Sequence, residues 1–269
     1  MALFDIKLFS TALLTQTDIR VVVPTPDEPF KPDETPYYKE GKKYQVLYLL
    51  HGGFGDCTVW TRNTGIERFA QKHKLIVVCA SVTNSMYMDM AHGNNFFTFY
   101  TQELPQFINY MFPVSTKRED TFIAGMSMGG YGAMRIGFEF PERYASVVSL
   151  SGGLEMTKMD MSVLKHVKKS PMNIQDIFGE DPENLEKNDL YNVVGARIKE
   201  GKTLPRVYIS CGTEDFLYET NVRAKDKYIE MGLDVTYFEA PGEHNWDFWD
   251  PEIRKVLNEW LPLAHTLVD

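Results

Sequence analysis

The residues with the clearest chemical potential are a serine between two glycines, Gly125-Met126-Ser127-Met128-Gly129, in the pattern G-x-S-x-G. The apolar run Thr121 to Ala124 precedes this segment directly, and a helix-like stretch ending near Pro141 follows it. A serine on a tight strand-to-helix turn brings its neighbours close together, and glycine on both sides removes the clash. The pattern therefore predicts that Ser127 stands on such a turn as a candidate nucleophile.

A serine hydroxyl is a weak nucleophile at neutral pH and needs a base that takes its proton. His244 follows the last predicted strand, in the loop Ala240-Pro241-Gly242-Glu243-His244-Asn245-Trp246, where proline and glycine favour a turn. We therefore expect His244 to be the base. His265 lies after the terminal helix and is expected at the surface. For the remaining histidines we expect structural or solvated roles: His51, His73, His92 and His166.

A carboxylate beside the base would fix the tautomer of the imidazole and stabilise the imidazolium that forms during attack. The predicted strand Val207 to Cys211 leads into Gly212-Thr213-Glu214-Asp215. Asp215 is the favoured acid. Glu214 stays an alternative, because a longer carboxylate can serve from the same place. The chemical groups then follow one another along the chain in the order serine, acid, histidine.

Attack on a carbonyl carbon also creates an oxyanion, which preorganised backbone N–H groups stabilise. A strand-to-helix turn at Ser127 offers the N–H of Met128 as one donor. The second donor is expected from the loop after the run Val46 to Leu50, which reads His51-Gly52-Gly53-Phe54-Gly55-Asp56. Gly53 is favoured there and Phe54 is the alternative, whereas His51 is expected to be a packing residue.

Short apolar runs recur along the chain and predict the strands that position these loops. Most are continuous rather than alternating, which is typical of strands that helices cover on both faces. We therefore expect an α/β fold with a mostly parallel sheet, to which the first two, more polar runs add an antiparallel edge. The predicted strands are Phe4 to Phe9, Ile19 to Val23, Val46 to Leu50, Leu75 to Ala80, Thr121 to Ala124, Val147 to Leu150, Val207 to Cys211 and Val235 to Phe238.

The 269 residues, 43% hydrophobic and 24% charged, indicate a soluble globular chain, which we expect to form a single domain over residues 1–269. Residues 24–41 hold five prolines and predict a loop. Residues 155–204 separate two predicted strands by more than a crossover needs, so they are expected to be a small cap-like insertion for substrate binding or a decorated crossover. An amphipathic helix is predicted from Met161 and a second near Leu190 to Glu200.

The net charge of −9 disfavours nucleic acid and anionic lipid as partners. No apolar run approaches the roughly 18 residues that a membrane span needs, and residues 1–10 do not read as a signal peptide. The odd number of cysteines, without metal-ligand spacing, indicates buried free thiols: Cys57, Cys79 and Cys211. We expect a cytoplasmic protein with no metal or cofactor and no nucleic-acid or membrane partner; assembly into a homo-oligomer stays open.

Five segments resemble the esterase D branch of the α/β-hydrolase superfamily, and within it the bacterial tributyrin or acetyl esterases. They are LYLLHGGFGD, FYTQELPQFI, DTFIAGMSMGGYGAMRIGFEFPERYASVVSLSG, GTEDFL and GEHNWDFW. The resemblance spans roughly residues 4–262 and is most specific over residues 120–153. It implies an eight-stranded α/β-hydrolase sheet, no cofactor, and hydrolysis of short acyl esters by a Ser127, Asp215 and His244 triad. It also implies an oxyanion hole from the amides of Gly53 and Met128.

The same branch includes S-formylglutathione hydrolases, feruloyl or cinnamoyl esterases and mycolyl transferases, so the resemblance does not name the substrate. The HGGFGD loop departs from the segment typical of the formylglutathione group, and no secretion signal supports a mycolyl transferase. Small esters are therefore the favoured substrates, with a thioesterase, a feruloyl esterase or a non-catalytic binding module as alternatives. Aromatic residues that could line an acyl or aromatic-alcohol pocket, or else belong to the core, are Phe54, Trp60, Phe178 and Trp246.

Overall fold

The framework of the computed structural model, which describes residues 1–26, 37–155 and 172–269, is an eight-stranded sheet. Its spatial order is β1-β2-β4-β3-β5-β6-β7-β8. The pairs β1–β2 and β2–β4 are antiparallel, and the pairs from β4–β3 to β7–β8 are parallel. The strands are β1 Ala2–Ser10, β2 Thr15–Val23, β3 Gln45–Leu50, β4 Leu75–Ala80, β5 Thr121–Met126, β6 Ser146–Leu150, β7 Arg206–Gly212 and β8 Val235–Ala240. The predicted α/β-hydrolase sheet with its antiparallel edge is confirmed.

Helices cover both faces of this sheet. They are α1 Val59–Asn63, α2 Ile66–His73, α3 Phe96–Thr98, α4 Leu104–Met111, α5 Met128–Glu139, α6 Ile174–Phe178, α7 Pro182–Asn188, α8 Leu190–Lys199, α9 Tyr218–Glu230 and α10 Trp246–Lys255. Single helical turns of other types occupy Phe99–Glu103, Arg118–Asp120 and Val256–Trp260.

Two apolar cores lie on the two faces, because successive side chains of a strand point to opposite sides of the sheet. In β3, Val46, Tyr48 and Leu50 belong to the core under α4, α5, α8 and α9, whereas Leu47 and Leu49 belong to the core under α1, α2 and α10. All six residues of β3 are buried, as are all six of β4 and of β5. This burial on both faces explains why the strands read as continuous apolar runs.

The segment predicted as an insertion is described only in part. The helix predicted from Met161 lies outside the described residues, and the helix predicted near Leu190 to Glu200 is confirmed as α8. Two short helices that the sequence reading did not find, α6 and α7, precede α8. The hydroxyl of Tyr131 on α5 donates to the carbonyl of Asn188, 2.8 Å away, and so ties the end of α7 to the helix below it. A substrate-binding role for this segment stays a prediction.

All three cysteines are free and buried, as predicted. Within the described ranges, every helix is too short or too polar to cross a membrane.

The join between β5 and α5 depends on the absence of side chains at two positions. A Cβ atom on Gly125 would lie 2.2 Å from the carbonyl oxygen of Gly129, and one on Gly129 would lie 2.5 Å from that of Leu50. Both contacts are with backbone, which cannot turn away as a flexible side chain can. Helix α5 therefore sits directly on the ends of β5 and β3, as the paired glycines predict.

We expect Gly125→Ala to lower the free energy of unfolding by about 3 kcal/mol or more, because the new methyl group forces α5 away from the sheet. The matched control is Gly195→Ala on α8, where the added Cβ would meet only the Cε of Met231, 3.9 Å away. That variant should change stability by less than about 1 kcal/mol, since alanine is the better helix former. Urea unfolding followed by circular dichroism measures both. Equal losses of unfolding free energy in the two variants would contradict the proposed role of Gly125 between β5 and α5.

Candidate active site

Ser127 is the residue between β5 and α5, and its backbone is strained. Its φ of 54° and ψ of −119° are rare for a residue with a side chain. The strain is held in place because the N–H of Ser127 donates to the carbonyl of Leu150, 2.9 Å away, and its own carbonyl accepts from the N–H of Gly130 at 3.0 Å. The turn presents the hydroxyl at the positive N-terminal end of α5, as the G-x-S-x-G pattern predicts.

The structure brings Ser127, His244 and Asp215 together in one hydrogen-bonded chain. The Nε2 of His244 lies 2.9 Å from the Oγ of Ser127, and its Nδ1 lies 2.8 Å from the Oδ2 of Asp215. Asp215 follows β7, and His244 lies in the loop after β8. The histidine loop ends where Asn245 caps α10 by accepting the N–H of Asp247. Three loops at the carboxyl ends of the parallel strands β5, β7 and β8 thus converge.

Asp215 is held as a carboxylate. Its side chain has no exposed surface, and burial alone would raise its pKa. Hydrogen bonds from His244, from the N–H of Leu217 at 2.8 Å and from Ser151 outweigh this effect, so the pKa of Asp215 lies below its ordinary value. An ionised acceptor facing Nδ1 places the proton of a neutral His244 on Nδ1. The Nε2 lone pair then faces the hydroxyl of Ser127.

The alternative acid, Glu214, points elsewhere. Its carboxylate accepts the N–H of Gly242 and the hydroxyl of Thr213, and its own N–H donates to the carbonyl of Gly242 at 3.0 Å. These contacts join the loop after β7 to the loop after β8. Glu214 therefore ties the two loops together, and it is Asp215 that reaches the imidazole.

The glycine loop after β3 lies against the nucleophile. A Cβ on Gly52 would lie 3.2 Å from the Cβ of Ser127. The N–H of Phe54 is engaged, because it donates to the Oδ1 of Asn84 at 2.7 Å, while Phe54 itself has a positive φ of 64°. The N–H groups of Gly53 and Met128 have no acceptor among the residues that the structure describes. Of the two loop candidates, Gly53 is therefore the one whose N–H is available.

His51 anchors this loop rather than reacting, as expected. Its Nε2 accepts the N–H of Val82 at 3.0 Å, so the proton is on Nδ1, which lies 2.7 Å from the carbonyl of Gly52. The hydroxyl of Tyr87 donates to the carbonyl of His51 at 2.9 Å. Burial lowers the pKa of His51, and the neutral ring fits a donor and an acceptor at its two nitrogens.

A cavity of about 350 Å³ opens over Ser127. Its walls are mostly apolar: Gly52, Gly53, Phe54, Gly55, Val59, Met86, Met126, Ser127, Met128, Gly153, Met172, Phe216, Leu217, His244, Trp246 and Trp249. Two of the four aromatic residues suggested for a pocket, Phe54 and Trp246, line it. No cluster of three or more metal-ligating side chains occurs in the described parts of the chain.

The other two suggested aromatic residues, Trp60 and Phe178, do not line this cavity and belong to the core. Trp60 is fully buried, donates its Nε1–H to the carbonyl of Leu50 at 3.0 Å, and meets Trp246 edge to face at 5.2 Å. Phe178, on α6, is buried in the core on the other face of the sheet. Residue type alone does not indicate which side of an element an aromatic ring occupies, and for Trp60 and Phe178 the structure supports the core alternative.

The structure adds residues that the sequence reading missed. The ring of Phe216 lies 4.6 Å from that of His244 and is 53% exposed, and Trp249 meets the imidazole edge to face at 4.9 Å. Their positions in the chain could have indicated them. Phe216 directly follows Asp215, and Trp249 lies within the first turn and a half of helix after His244. The cavity residues Met86, Met126 and Met172 carry no such signal, because methionine is common in any core.

Residues 32–259 match a protein family described as "Putative esterase". The acetyl esterase of Caldicellulosiruptor saccharolyticus is 30% identical to this chain over 268 residues, covering 97% of this chain and 98% of the relative. In Staphylococcus aureus, the fluorophosphonate-binding serine hydrolase FphF has a similar structure, with a TM-score of 0.82 and 30% identity over 95% of this chain and 96% of its own. The S-formylglutathione hydrolase FrmB of the same organism follows with a TM-score of 0.79 and 30% identity over 95% and 97% of the two chains.

Proposed function

The chain belongs to this esterase family and is a carboxylic ester hydrolase, and we propose that it is a serine esterase that cleaves short acyl esters of the acetyl or butyryl type. The observation that carries the proposal is the unbroken chain of hydrogen bonds from Ser127 Oγ through His244 to Asp215, at 2.9 Å and 2.8 Å. A hydroxyl so placed has both an acceptor for its proton and a fixed counter-charge behind that acceptor.

In the first step, His244 Nε2 takes the proton of Ser127 as Oγ attacks the ester carbonyl carbon. Asp215 stabilises the resulting imidazolium without taking its proton. The carbonyl oxygen becomes an oxyanion and accepts the N–H groups of Gly53 and Met128, which are available for that purpose. When the tetrahedral intermediate collapses, the imidazolium returns the proton to the departing alcohol, and an acyl group remains on Ser127.

In the second step, water attacks the acyl carbon while His244 Nε2 accepts one of its protons. Collapse of this second intermediate releases the carboxylic acid, and the proton passes back to Oγ. The enzyme ends each cycle unchanged, and the net reaction is ester plus water giving acid plus alcohol. No step requires a metal or a cofactor.

The cavity supports an uncharged acyl group. The side chains of its described lining include no lysine, arginine, aspartate or glutamate. A glutathione thioester brings two carboxylates to the site, and binding them would call for cationic partners. This observation, together with the acetyl esterase relative, favours simple acyl esters over the thioester, which the likeness to FrmB keeps as the second candidate.

We also propose a reducing, cytoplasmic setting. Cys57, Cys79 and Cys211 are free and buried, and unpaired thiols are usual where disulfides are kept reduced. The partner expected there is a small-molecule ester.

Substitution of the proposed nucleophile tests the mechanism. We expect Ser127→Ala to lower kcat for p-nitrophenyl acetate by about 10⁴-fold or more, with unchanged far-ultraviolet circular dichroism, since the nucleophile is removed without adding bulk. Near-normal hydrolysis by the folded variant would contradict the assignment of Ser127 as the nucleophile.

The two acidic residues provide a matched pair. Asp215→Asn should lower kcat by about 10⁴-fold, because the imidazole loses its counter-charge and its tautomer is no longer fixed. Glu214→Gln keeps an oxygen that accepts the N–H of Gly242, so kcat should fall by less than about tenfold. Steady-state kinetics on both variants decides the assignment. Similar losses of kcat in the two variants would mean that Asp215 has no special role.

Acyl preference is tested with p-nitrophenyl acetate, butyrate and octanoate beside S-formylglutathione and methyl ferulate. The acetyl esterase relative favours a higher kcat/KM for acetate and butyrate than for octanoate, and the cavity lining without charged side chains favours a lower kcat/KM for the charged thioester. Faster turnover of octanoate than of acetate would contradict the short-acyl assignment. Preference for S-formylglutathione would make the second candidate the function.

A further inference from the structure

The outer edge of β1 is the end of the sheet. The strand pairs with β2 over its whole length, from Ala2 opposite Val23 to Ser10 opposite Thr15, in an uninterrupted antiparallel register. Alternate backbone N–H and C=O groups of such a strand point away from its neighbour. No strand of the described residues pairs with that outer side. A nine-residue edge without a bulge is a template for a further strand.

Large apolar side chains are exposed around this edge. Of the twelve that are exposed in the described part of the chain, five fall within residues 1–14: Met1, Leu3, Phe4, Phe9 and Leu14. Such a concentration in one short segment indicates a surface that gains by being covered.

The sequence of β1, ALFDIKLFS, is complementary to itself when reversed about Ile6. In an antiparallel pairing of two copies centred there, Asp5 faces the partner's Lys7 and Leu3 faces the partner's Phe9. On the other side of the strand, Phe4 faces the partner's Leu8. Every charge therefore meets its opposite and every large apolar side chain meets another.

Other registers lose this match. A shift of the pairing by two residues sets Lys7 opposite the partner's Lys7, or Asp5 opposite the partner's Asp5, and like charges directly opposite each other destabilise a sheet. A shift by one residue sets each charge opposite an apolar side chain. The pattern thus specifies one two-fold arrangement.

Pairs already present within the chain extend the match. The Arg20 side chain lies 2.6 Å from Asp5, and the Lys7 side chain lies 2.6 Å from Asp18. Two copies paired at Ile6 would form rows across four strands in which the signs alternate, from Arg20 through Asp5 to the partner's Lys7 and the partner's Asp18. The four charges on each copy sum to zero, so this edge is locally neutral although the chain carries a net charge of −9. A lone lysine on an edge strand opposes pairing with a further strand. Lys7 is not alone, because Asp5 lies two residues before it.

We propose that β1 pairs antiparallel with β1 of a second copy, about a two-fold axis at Ile6, and joins the two eight-stranded sheets into one. The nucleophile stands after β5, four strands along the sheet from β1, so this dimer leaves the cavity over Ser127 open. The proposal is independent of the catalytic mechanism.

The test uses two charge reversals and their mixture. Lys7→Asp sets carboxylates opposite each other at both pairs, and Asp5→Lys sets ammonium groups opposite each other. Analytical ultracentrifugation of the wild type should show a dimer. For either variant alone, the dissociation constant of the dimer should be at least about tenfold higher than for the wild type. A mixture of the two variants restores opposite charges at both pairs and should dimerise as a heterodimer, which native mass spectrometry identifies.

Two controls separate the interface from other effects. Asp18→Ala removes the internal partner of Lys7 without reversing a charge on β1, and should keep the dimer. Lys199→Asp, on the exposed end of α8, changes the net charge by the same amount as Lys7→Asp. This variant should also keep the dimer. Hydrolysis of p-nitrophenyl acetate reports whether each variant is folded. A monomeric wild type, an assembly that the single reversals leave intact, or a mixture that stays monomeric would overturn the proposal.

Discussion

The close approach of helix α5 to the sheet is the constraint on which the rest of the structure depends. Backbone meets backbone where Gly125 faces Gly129 and Gly129 faces Leu50, at distances that leave room only for hydrogen atoms. The chain can reverse from strand to helix within one residue only under this condition, and the cost is the positive φ of Ser127. In return the hydroxyl stands clear of the sheet, within 2.9 Å of His244.

The same kind of backbone contact fixes the other two loops. A Cβ on Gly212 would lie 2.1 Å from the carbonyl oxygen of Gly242, so the loops that carry Asp215 and His244 touch through glycine. Glu214 then joins them by accepting the N–H of Gly242. The proposed acid and base are therefore positioned relative to each other by backbone that cannot repack, which is the rigidity that a preorganised site needs.

Residues near a sharp backbone feature were predictable, and residues placed by packing were not. Ser127, Asp215 and His244 each follow a strand that reads as an apolar run, and their order along the chain is that of the α/β hydrolases, so their convergence could be expected. The start of β2 was missed, because Thr15 to Asp18 are polar and are held by pairing with β1. The sequence left Trp60 and Phe178 open between a pocket and the core, and they lie in the core, since the face that a ring occupies is decided by contacts distant in sequence.

The central claim is that the hydrogen-bonded chain makes Ser127 reactive, and labelling with a fluorophosphonate probe tests it most directly. In folded wild-type protein, peptide mass spectrometry should find one adduct, on Ser127, because the phosphorus centre meets an activated hydroxyl there. Urea-unfolded protein and folded His244→Ala should give none on the same timescale. An absent adduct in the folded wild type, or equal labelling in His244→Ala, would contradict the account.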